Sequence, residues 1–215
     1  NGWVRSQFYE VNLTKYEPSF ASVTVDKNSL EGDQSSIIDF TIDKAKYIKS
    51  LNIKCDERNI YSEEVPTYSS NSISTISRSI SLDSWILGDG THSIVVSATD
   101  VDGITINSDP ITISVSGSLV EISSFNTTET EEALNFSISL IRTEHLKELR
   151  VVSDGRVVAS ENFENGTISS LDKTLNIEKW KLDDGEHKVR VEAEDYAGNI
   201  VSTDETTVTV TGSRI

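Results

Sequence analysis

The sequence predicts an all-β protein of two tandem β-sandwiches, each with about seven antiparallel strands. One pattern recurs without a gap after about 95 positions, which indicates two copies of one domain. The matched positions are Trp85 with Trp180, Leu87 with Leu182, Asp89 with Asp184, Gly90 with Gly185, His92 with His187 and Asp100 with Asp195. Short alternating segments between frequent turn signals, without a convincing amphipathic helix, are typical of a sandwich.

The repeat sets the predicted domain boundaries. Upstream of a loop that differs by about three residues, the match resumes with Tyr47 facing His145 and Asp56 facing Asp154. We expect an amino-terminal extension at 1–18, a first domain at 19–117 and a second at 118–215. The short Gly117-Ser118 link predicts a semi-rigid, end-to-end pair.

Hydrophobic alternation between turns places the strands of the first domain. A strand from Ser19 through Val25 is followed by a turn containing Gly32. Segment 69–81 is rich in Ser, but its spacing of Ile and Leu recurs in the second copy, which predicts ordered structure. The remaining strands are expected at 37–42, 48–54, around 60, 92–99 and 104–115.

The second domain repeats this plan. Its strands are expected at 119–123, 134–141, 146–152, 156–160, 168–177, 187–194 and 200–210. Along 134–141, Leu and Phe alternate with Asn and Ser, so the apolar residues should point inward. Trp85 and Trp180 are expected to be core anchors. The only candidate helix is the short segment Thr143–Leu149.

The extension at 1–18 has no counterpart before the second copy. Tyr9, Val11 and Leu13 alternate with polar residues, as in a half-buried strand. This strand either adds to an edge of the first sandwich, links to a domain upstream, or inserts as a donor strand into a neighbouring copy.

Charge and composition exclude several classes of partner. The net charge of −16, from 35 Asp and Glu against 19 Lys and Arg, opposes binding to nucleic acid or an anionic membrane. The sequence contains no apolar run long enough to insert into a membrane and no basic, hydrophobic leader. The start at Asn1 and the lack of Met suggest a processed segment of a longer precursor. Cys55 has no partner for a disulfide and is expected to be a buried thiol.

The repeated motif carries a family resemblance. Residues 182–199 read Leu-x-Asp-Gly-x-His-x-Val-x-Val-x-Ala-x-Asp-x-x-Gly-Asn, and 87–103 match closely, with Ile104 where the second copy has Asn199. This pattern resembles the bacterial and archaeal immunoglobulin-like domains strung together in surface-layer proteins, adhesins and large secreted enzymes. The resemblance implies an immunoglobulin-like fold, an extracellular or cell-surface location, and a role as spacer, stalk or lattice block.

Aspartates flank the turn that follows the repeated motif. Asp100 with Asp102, and Asp195 with Asn199, place oxygen atoms where Ca²⁺ could bind. Neither pair approaches six ligands, and a carboxylate that caps the backbone of its own turn explains the pattern without a metal. Calcium is the only cofactor that the sequence suggests.

No set of residues predicts catalysis. His92 and His187 occupy equivalent strand starts, which favours a structural, hydrogen-bonded role, and His145 is expected on the surface. The sequence has no nucleophile elbow, His metal cluster or phosphate loop, so we predict that the protein is not an enzyme.

Four Asn residues lie in glycosylation sequons. Asn12 and Asn135 are expected on outward strand faces, whereas Asn126 and Asn165 are expected in loops. The count is close to what chance gives in a sequence rich in Asn, Ser and Thr. Sugar attachment is therefore a hypothesis that rests on placement.

These observations lead to two functional hypotheses. The first is a non-enzymatic structural module of an extracellular surface protein, such as an S-layer, stalk or filament subunit, whose partners are other copies of itself or neighbouring domains. The alternative is an adhesin or a carbohydrate-binding accessory module of a secreted enzyme. That alternative needs an exposed aromatic patch, for which the candidates are Trp3, Tyr9, Tyr16 and Tyr68.

Overall fold

A computed structural model of the chain describes residues 17–66, 74–166 and 168–212. The fold is all-β, as predicted. The strands of the first half are β1 (Ser19–Val25), β2 (Ser29–Glu31), β3 (Ser35–Asp43), β4 (Ile48–Cys55), β5 (Arg58–Glu64), β6 (Thr75–Asp83), β7 (Gly90–Asp100), β8 (Thr105–Asn107) and β9 (Ile111–Ser116). Those of the second half are β10 (Glu121–Glu129), β11 (Ala133–Ile141), β12 (Leu146–Ser153), β13 (Arg156–Asn162), β14 (Ser170–Glu178), β15 (Gly185–Asp195), β16 (Ile200–Ser202) and β17 (Thr206–Val210).

The second half is a two-sheet sandwich. One sheet has the order β10-β11-β14, and the other has the order β13-β12-β15-β16 with β17 also paired to β15. Apolar side chains from both sheets form one buried cluster, in which Phe136, Leu149 and Val191 are fully buried. The alternation predicted for 134–141 is confirmed, because Leu134, Phe136, Ile138 and Leu140 are each no more than 3% exposed.

The strands of the first half form two corresponding sheets. Their orders are β1-β3-β6 and β2-β9-β7-β4-β5, with β8 also paired to β7. Strand β2 pairs with β9 in parallel, an arrangement absent from the second sandwich among the residues described. Ile38, Leu51, Ile53 and Ile94 are fully buried. Among the strands that the structure describes, no sheet mixes strands of the two halves.

The described residues divide into two compact units. The first contains residues 17–24, 38–66, 74–80 and 94–111, and the second contains residues 25–37, 81–93, 112–166 and 168–212. The second unit therefore combines the whole second sandwich with two segments of the first half, Val25–Ile37 and Ser81–Ser93.

Several predicted elements need correction. Thr143–Leu149 is not a helix, because β12 already begins at Leu146. The single strand expected at 104–115 is divided into β8 and β9, with Pro110, which has no N–H to donate, between them. The strand expected at 119–123 continues to Glu129 as β10. The strand predicted in the extension at 1–18 lies outside the described residues.

The two repeated tryptophans are not both core anchors, which corrects the prediction. Trp85 is half-buried on a short helix, α1 (Ser84–Leu87), and Trp180 is 69% exposed on a single turn of 3₁₀ helix, Lys179–Lys181. The cores are filled instead by aliphatic residues with Phe40 and Phe136. Both tryptophans stand at turns between strands, where side chains are available for contacts outside the core.

Candidate functional site

The turn after β15 is organised by Asp195, which is only 3% exposed. Its Oδ1 accepts hydrogen bonds from the backbone N–H groups of Ala197 (2.9 Å) and Asn199 (2.8 Å), and its Oδ2 accepts one from Asn199 Nδ2 (2.8 Å). Both carboxylate oxygens therefore have donors within the turn. This is the local capping geometry that aspartate favours in tight turns.

The equivalent turn after β7 has the same backbone pattern. Asp100 Oδ1 accepts from the N–H groups of Asp102 (2.9 Å) and Ile104 (2.8 Å). Ile104 supplies no amide like that of Asn199, and Asp100 is half-buried. The calcium hypothesis for Asp100, Asp102, Asp195 and Asn199 remains a prediction, since hydrogen-bonded carboxylate oxygens keep further lone pairs.

Asn199 connects this turn to the short helix α1. Its Nδ2 donates to the carbonyl oxygen of Trp85 at 2.9 Å as well as to Asp195. Asp195 orients the Asn199 amide, and that amide in turn holds the backbone of α1. Asp195 and Trp85 both lie in the second compact unit, as does Asn199.

The Trp85 side chain is received by His145. The two rings are stacked, with centroids 4.1 Å apart and planes inclined by 16°. His145 is held from its other edge, because its Nδ1 lies 3.1 Å from Asn165 Oδ1. We call the group of Trp85, His145, Asn199 and Asp195 the Trp85 seat. A cavity of about 70 Å³ remains beside it, lined in part by Arg142 and Val120.

The backbone of α1 is held by hydrogen bonds of Ser84, the residue that precedes Trp85. Ser84 is fully buried; its N–H donates to Gln34 O (2.8 Å) and its hydroxyl to Gly32 O (2.6 Å). The helix ends at Gly88, whose φ is +85°. A Cβ at Gly88 would lie 3.1 Å from Asn199 Oδ1, so glycine is needed for both the backbone conformation and the close approach.

The histidines of the repeated motif have the predicted structural role. His92 and His187 are half-buried, and the Nε2 of each lies within hydrogen-bond distance of a turn carbonyl, Gly88 O (2.8 Å) and Asp183 O (2.7 Å) respectively. The contact with Asp183, followed by that with Asp154, raises the pKa of His187. Cys55 is buried as predicted, and burial raises the pKa of its thiol to about 11, so it is a poor nucleophile at neutral pH.

Ion pairs cover the outer face of the β12–β15 ladder. Arg150 Nε lies 2.7 Å from Glu192, and its Nη1 lies 3.0 Å from Glu194 and 3.3 Å from Glu148. Burial opposes ionisation of Glu192, but hydrogen bonds from Arg150 and Arg190 hold the pKa of its carboxyl below the usual value. These charged side chains pair with one another within the sheet. The face is therefore explained as a structural surface in contact with solvent.

A further cavity of about 380 Å³ opens at the edge of the second sandwich. Phe163, Leu146, Leu171 and Ile168 form its apolar part. Glu164 is the only carboxylate among the described residues that line it, and none of them is His, Cys or Lys. A pair of groups for acid-base chemistry is therefore not present among these residues.

The structure describes three of the four predicted glycosylation sites. Asn165 is exposed in a loop, as expected. Asn126 is exposed but lies within β10, which corrects its assignment to a loop. Asn135 is half-buried on β11, and its Oδ1 accepts a hydrogen bond from Asn176 (2.7 Å). Asn12 lies outside the described residues, as do Trp3, Tyr9, Tyr16 and Tyr68.

Sequence reasoning missed the Trp85 seat because it treated both tryptophans as core residues. The available signal was the set of positions at which the two repeats differ. His145 replaces Tyr47 and Asn199 replaces Ile104, while the tryptophan is the same in both. Side chains specific to the second copy are those that receive Trp85 of the first.

Several solved structures are distantly similar to this chain. No family model and no curated protein matches the chain. Fibronectin(III)-like modules of Clostridium thermocellum CbhA are 17% identical, with 88% of this chain and 94% of that chain covered and a TM-score of 0.31. Dimeric latent PorU from Porphyromonas gingivalis is 14% identical over 94% of this chain and 21% of that chain, with a TM-score of 0.35.

A DUF3823 family protein from Bacteroides ovatus is 9% identical, with 77% of this chain and 90% of that chain covered and a TM-score of 0.35. At these identities and TM-scores, none of the three proteins informs the function of this chain. Among the described residues, no helix has the length and apolar character needed to cross a membrane.

Proposed function

We propose that this chain is a non-enzymatic structural module of an extracellular surface protein, a building block of an S-layer, stalk or filament. Its sandwich repeats would supply mechanical continuity rather than chemistry. The family resemblance of the repeated motif supports the setting, and the hydrogen bonds of that motif support the role.

The residues common to both repeats are occupied by the fold itself. Asp100 and Asp195 cap their own turns, and the two motif histidines contact turn carbonyls. Gly90 and Gly185 take φ values of 140° and 141°, as expected for the predicted Asp-Gly turns.

The observation that carries the proposal is the Trp85 seat. It brings a helix of the first repeat onto side chains that only the second repeat has at the equivalent positions, namely His145 and Asn199. A stacked aromatic pair and a side-chain amide that donates two hydrogen bonds are features that hold neighbouring repeats together. Such contacts suit a protein that must keep its modules in register.

The test is the assembly state of the purified 215-residue chain, by light scattering and electron microscopy, with about 1 mM Ca²⁺ and then with chelator. Ordered sheets or filaments are expected. Their loss in chelator would assign calcium to the aspartate turns. A monomer that binds sugars on a glycan array would contradict the proposal and favour the adhesin or carbohydrate-binding alternative.

The donor-strand hypothesis has its own variant. If residues 1–18 insert into a neighbouring copy, their deletion abolishes polymers while the circular dichroism of the sandwiches is unchanged. Polymers that persist in the truncated chain would refute the donor strand. They would leave the structural role intact.

A further inference from the structure

The Trp85 seat contains a titratable ring, the imidazole of His145, whose tautomer is assigned by a hydrogen bond. The ring is half-buried, and its Nδ1 lies 3.1 Å from Asn165 Oδ1. Because a carboxamide oxygen only accepts hydrogen bonds, Nδ1 carries the proton and donates it. In the neutral ring the lone pair therefore lies on Nε2.

That second nitrogen is close to a carboxylate. His145 Nε2 lies 3.8 Å from Oδ1 of Asp33, a residue of the loop between β2 and β3. In the neutral ring a lone pair meets a negatively charged oxygen. Protonation replaces the lone pair with an N–H group and gives the ring a positive charge, so the same two atoms form an ion pair. The Asp33 side chain is 71% exposed, so this pair alone adds little stability.

The indole of Trp85 supplies the second electrostatic contribution. It is stacked on the His145 ring, with centroids 4.1 Å apart and planes inclined by 16°. A cation within about 6 Å of an indole face is attracted by the negative face of the ring. A protonated imidazole therefore adds electrostatic attraction to the dispersion that a neutral imidazole already supplies. The contact that holds α1 should become stronger when His145 is charged.

Carboxylates outnumber cations around this ring. Arg142 is the only cation among the described residues that line the cavity beside the seat, and it pairs with Glu121 at 2.7 Å. Lys147, two residues after His145, pairs with Glu194 at 2.7 Å. Both cations are thus engaged with carboxylates, so the surroundings favour a positive charge on the imidazole. The acidic groups of the adjoining segments are Asp33, Asp89 at the link, Glu144, Glu164 after β13, Asp195, and the phenol of Tyr196.

We propose that the Trp85 seat is a pH-sensitive contact, in which protonation of His145 tightens the hold of the second repeat on α1 and deprotonation loosens it. This goes beyond the proposed structural role, because it makes a contact between repeats respond to pH in the range in which histidine titrates, about pH 5 to 8. The first repeat has Tyr47 at the equivalent position, so the imidazole is specific to the repeat that receives a tryptophan.

The direction of the effect follows from which form of the ring is stabilised. The protonated form makes the ion pair and the cation–π contact, so the seat should be tighter at about pH 5.5 than at about pH 8. Both contributions are modest because the site is partly exposed. The part of the urea midpoint that depends on His145 should therefore be larger at the lower pH by about 0.5 M.

The first experiment follows the indole N–H resonances of the full chain by NMR from about pH 5 to 8. The chain has three Trp residues, and Trp85→Phe identifies the signal of the seat. In the wild type this signal should move along a single-proton curve. It should not move in His145→Tyr, which places the ring of the first repeat in the seat. His187→Gln is the matched control, since it removes another half-buried His of the same repeat and should leave the Trp85 curve as in wild type.

The second experiment compares urea midpoints of wild type and His145→Tyr at about pH 5.5 and 8. The difference between the two proteins should be larger at the lower pH, and Asp33→Asn should show a pH dependence between theirs. Because the NMR titration is measured on the wild type, the proposal is testable even if a variant folds poorly.

Three results would overturn the pH-sensitive contact. They are a wild-type Trp85 signal that stays constant over this range, a Trp85 curve that persists in His145→Tyr, and a midpoint difference that is equal at both pH values or larger at the higher one. None of these measurements depends on assembly of the chain, so each would leave the proposed structural role to its own test.

Discussion

Replacing Asp195 with alanine removes the group that organises the turn after β15. The variant loses an acceptor for the N–H groups of Ala197 and Asn199 and for the Asn199 side chain. The amide of Asn199 then loses the anchor that directs it to Trp85 O. The substitution should therefore weaken both the turn and the Trp85 seat.

The magnitude follows from burial and from the number of donors. A hydrogen bond to a charged acceptor is worth about 1.5–3 kcal/mol, and a buried donor left without a partner costs about 1–3 kcal/mol. Asp195 is 3% exposed, so water replaces the carboxylate poorly. Since the three bonds act together and are not additive, we expect a loss of about 3 kcal/mol. With a urea m-value of about 2 kcal/mol/M, the midpoint falls by about 1.5 M.

Asp100→Ala is the matched control. It removes the same two backbone acceptor contacts from a half-buried carboxylate that holds no Asn side chain. We expect a loss of about 1–2 kcal/mol. The loss of unfolding free energy for Asp195→Asn should lie between those of the two alanine variants. The side-chain oxygen of the new Asn can still accept from the backbone, but its NH₂ group faces the NH₂ group of Asn199.

The assay is urea denaturation followed by circular dichroism, with tryptophan fluorescence as a second probe. Equal losses for Asp195→Ala and Asp100→Ala, or a loss below about 1 kcal/mol for Asp195→Ala, would refute the reasoning. Repeating the wild-type curve with about 1 mM Ca²⁺ and with chelator tests the calcium hypothesis. Because turn donors already contact Asp195, we expect the midpoint to be the same in both.

Three further predictions concern the second sandwich. Arg150→Met should lower the free energy of unfolding by about 2 kcal/mol at neutral pH. Because the pKa of Glu192 is held below its usual value, the wild type should lose this stabilisation as pH falls through the pKa of the folded protein, so the urea midpoints of the two proteins should converge in acid. The pKa of His187 is raised, first by the hydrogen bond to the Asp183 carbonyl, so the protonated ring stabilises the fold below about pH 6.5, and this stabilisation is lost as pH rises through the pKa of the folded protein. His187→Gln should therefore lower the urea midpoint more at about pH 5.5 than at about pH 8.5. Equal changes in the urea midpoint at the two pH values would contradict this. Ser153 Oγ is buried and makes no hydrogen bond to any described residue, so Ser153→Ala should raise thermal stability by about 1 kcal/mol, and a destabilised variant would count against it.

The fold was accessible from the sequence because its signals are local and are repeated. The alternation of Leu134 and Phe136 with Asn135 and Ser137 has the period of a strand, and its apolar side is buried. The Asp-Gly turns can be predicted from residue type, because Asp and Gly both favour turn conformations. The duplication supports these assignments, because two copies are expected to keep the same spacing where the fold requires it.

The Trp85 seat was not accessible in the same way. A helix of four residues is too short to show a periodicity of 3.6, so nothing local marks Ser84–Leu87 as helical. The seat also joins side chains far apart in the chain, since His145 meets Trp85 across several intervening strands. Local patterns predict which residues face a core, but they do not predict which loop side chains meet.

The measurement that tests the structural role most directly is immunogold electron microscopy of cells that produce the protein, with an antibody raised against the purified chain. A structural module of an extracellular surface protein predicts gold at the outer face of intact cells, on an ordered layer, stalk or filament. Label confined to the cell interior, or found only in the medium with no surface structure, would contradict the account.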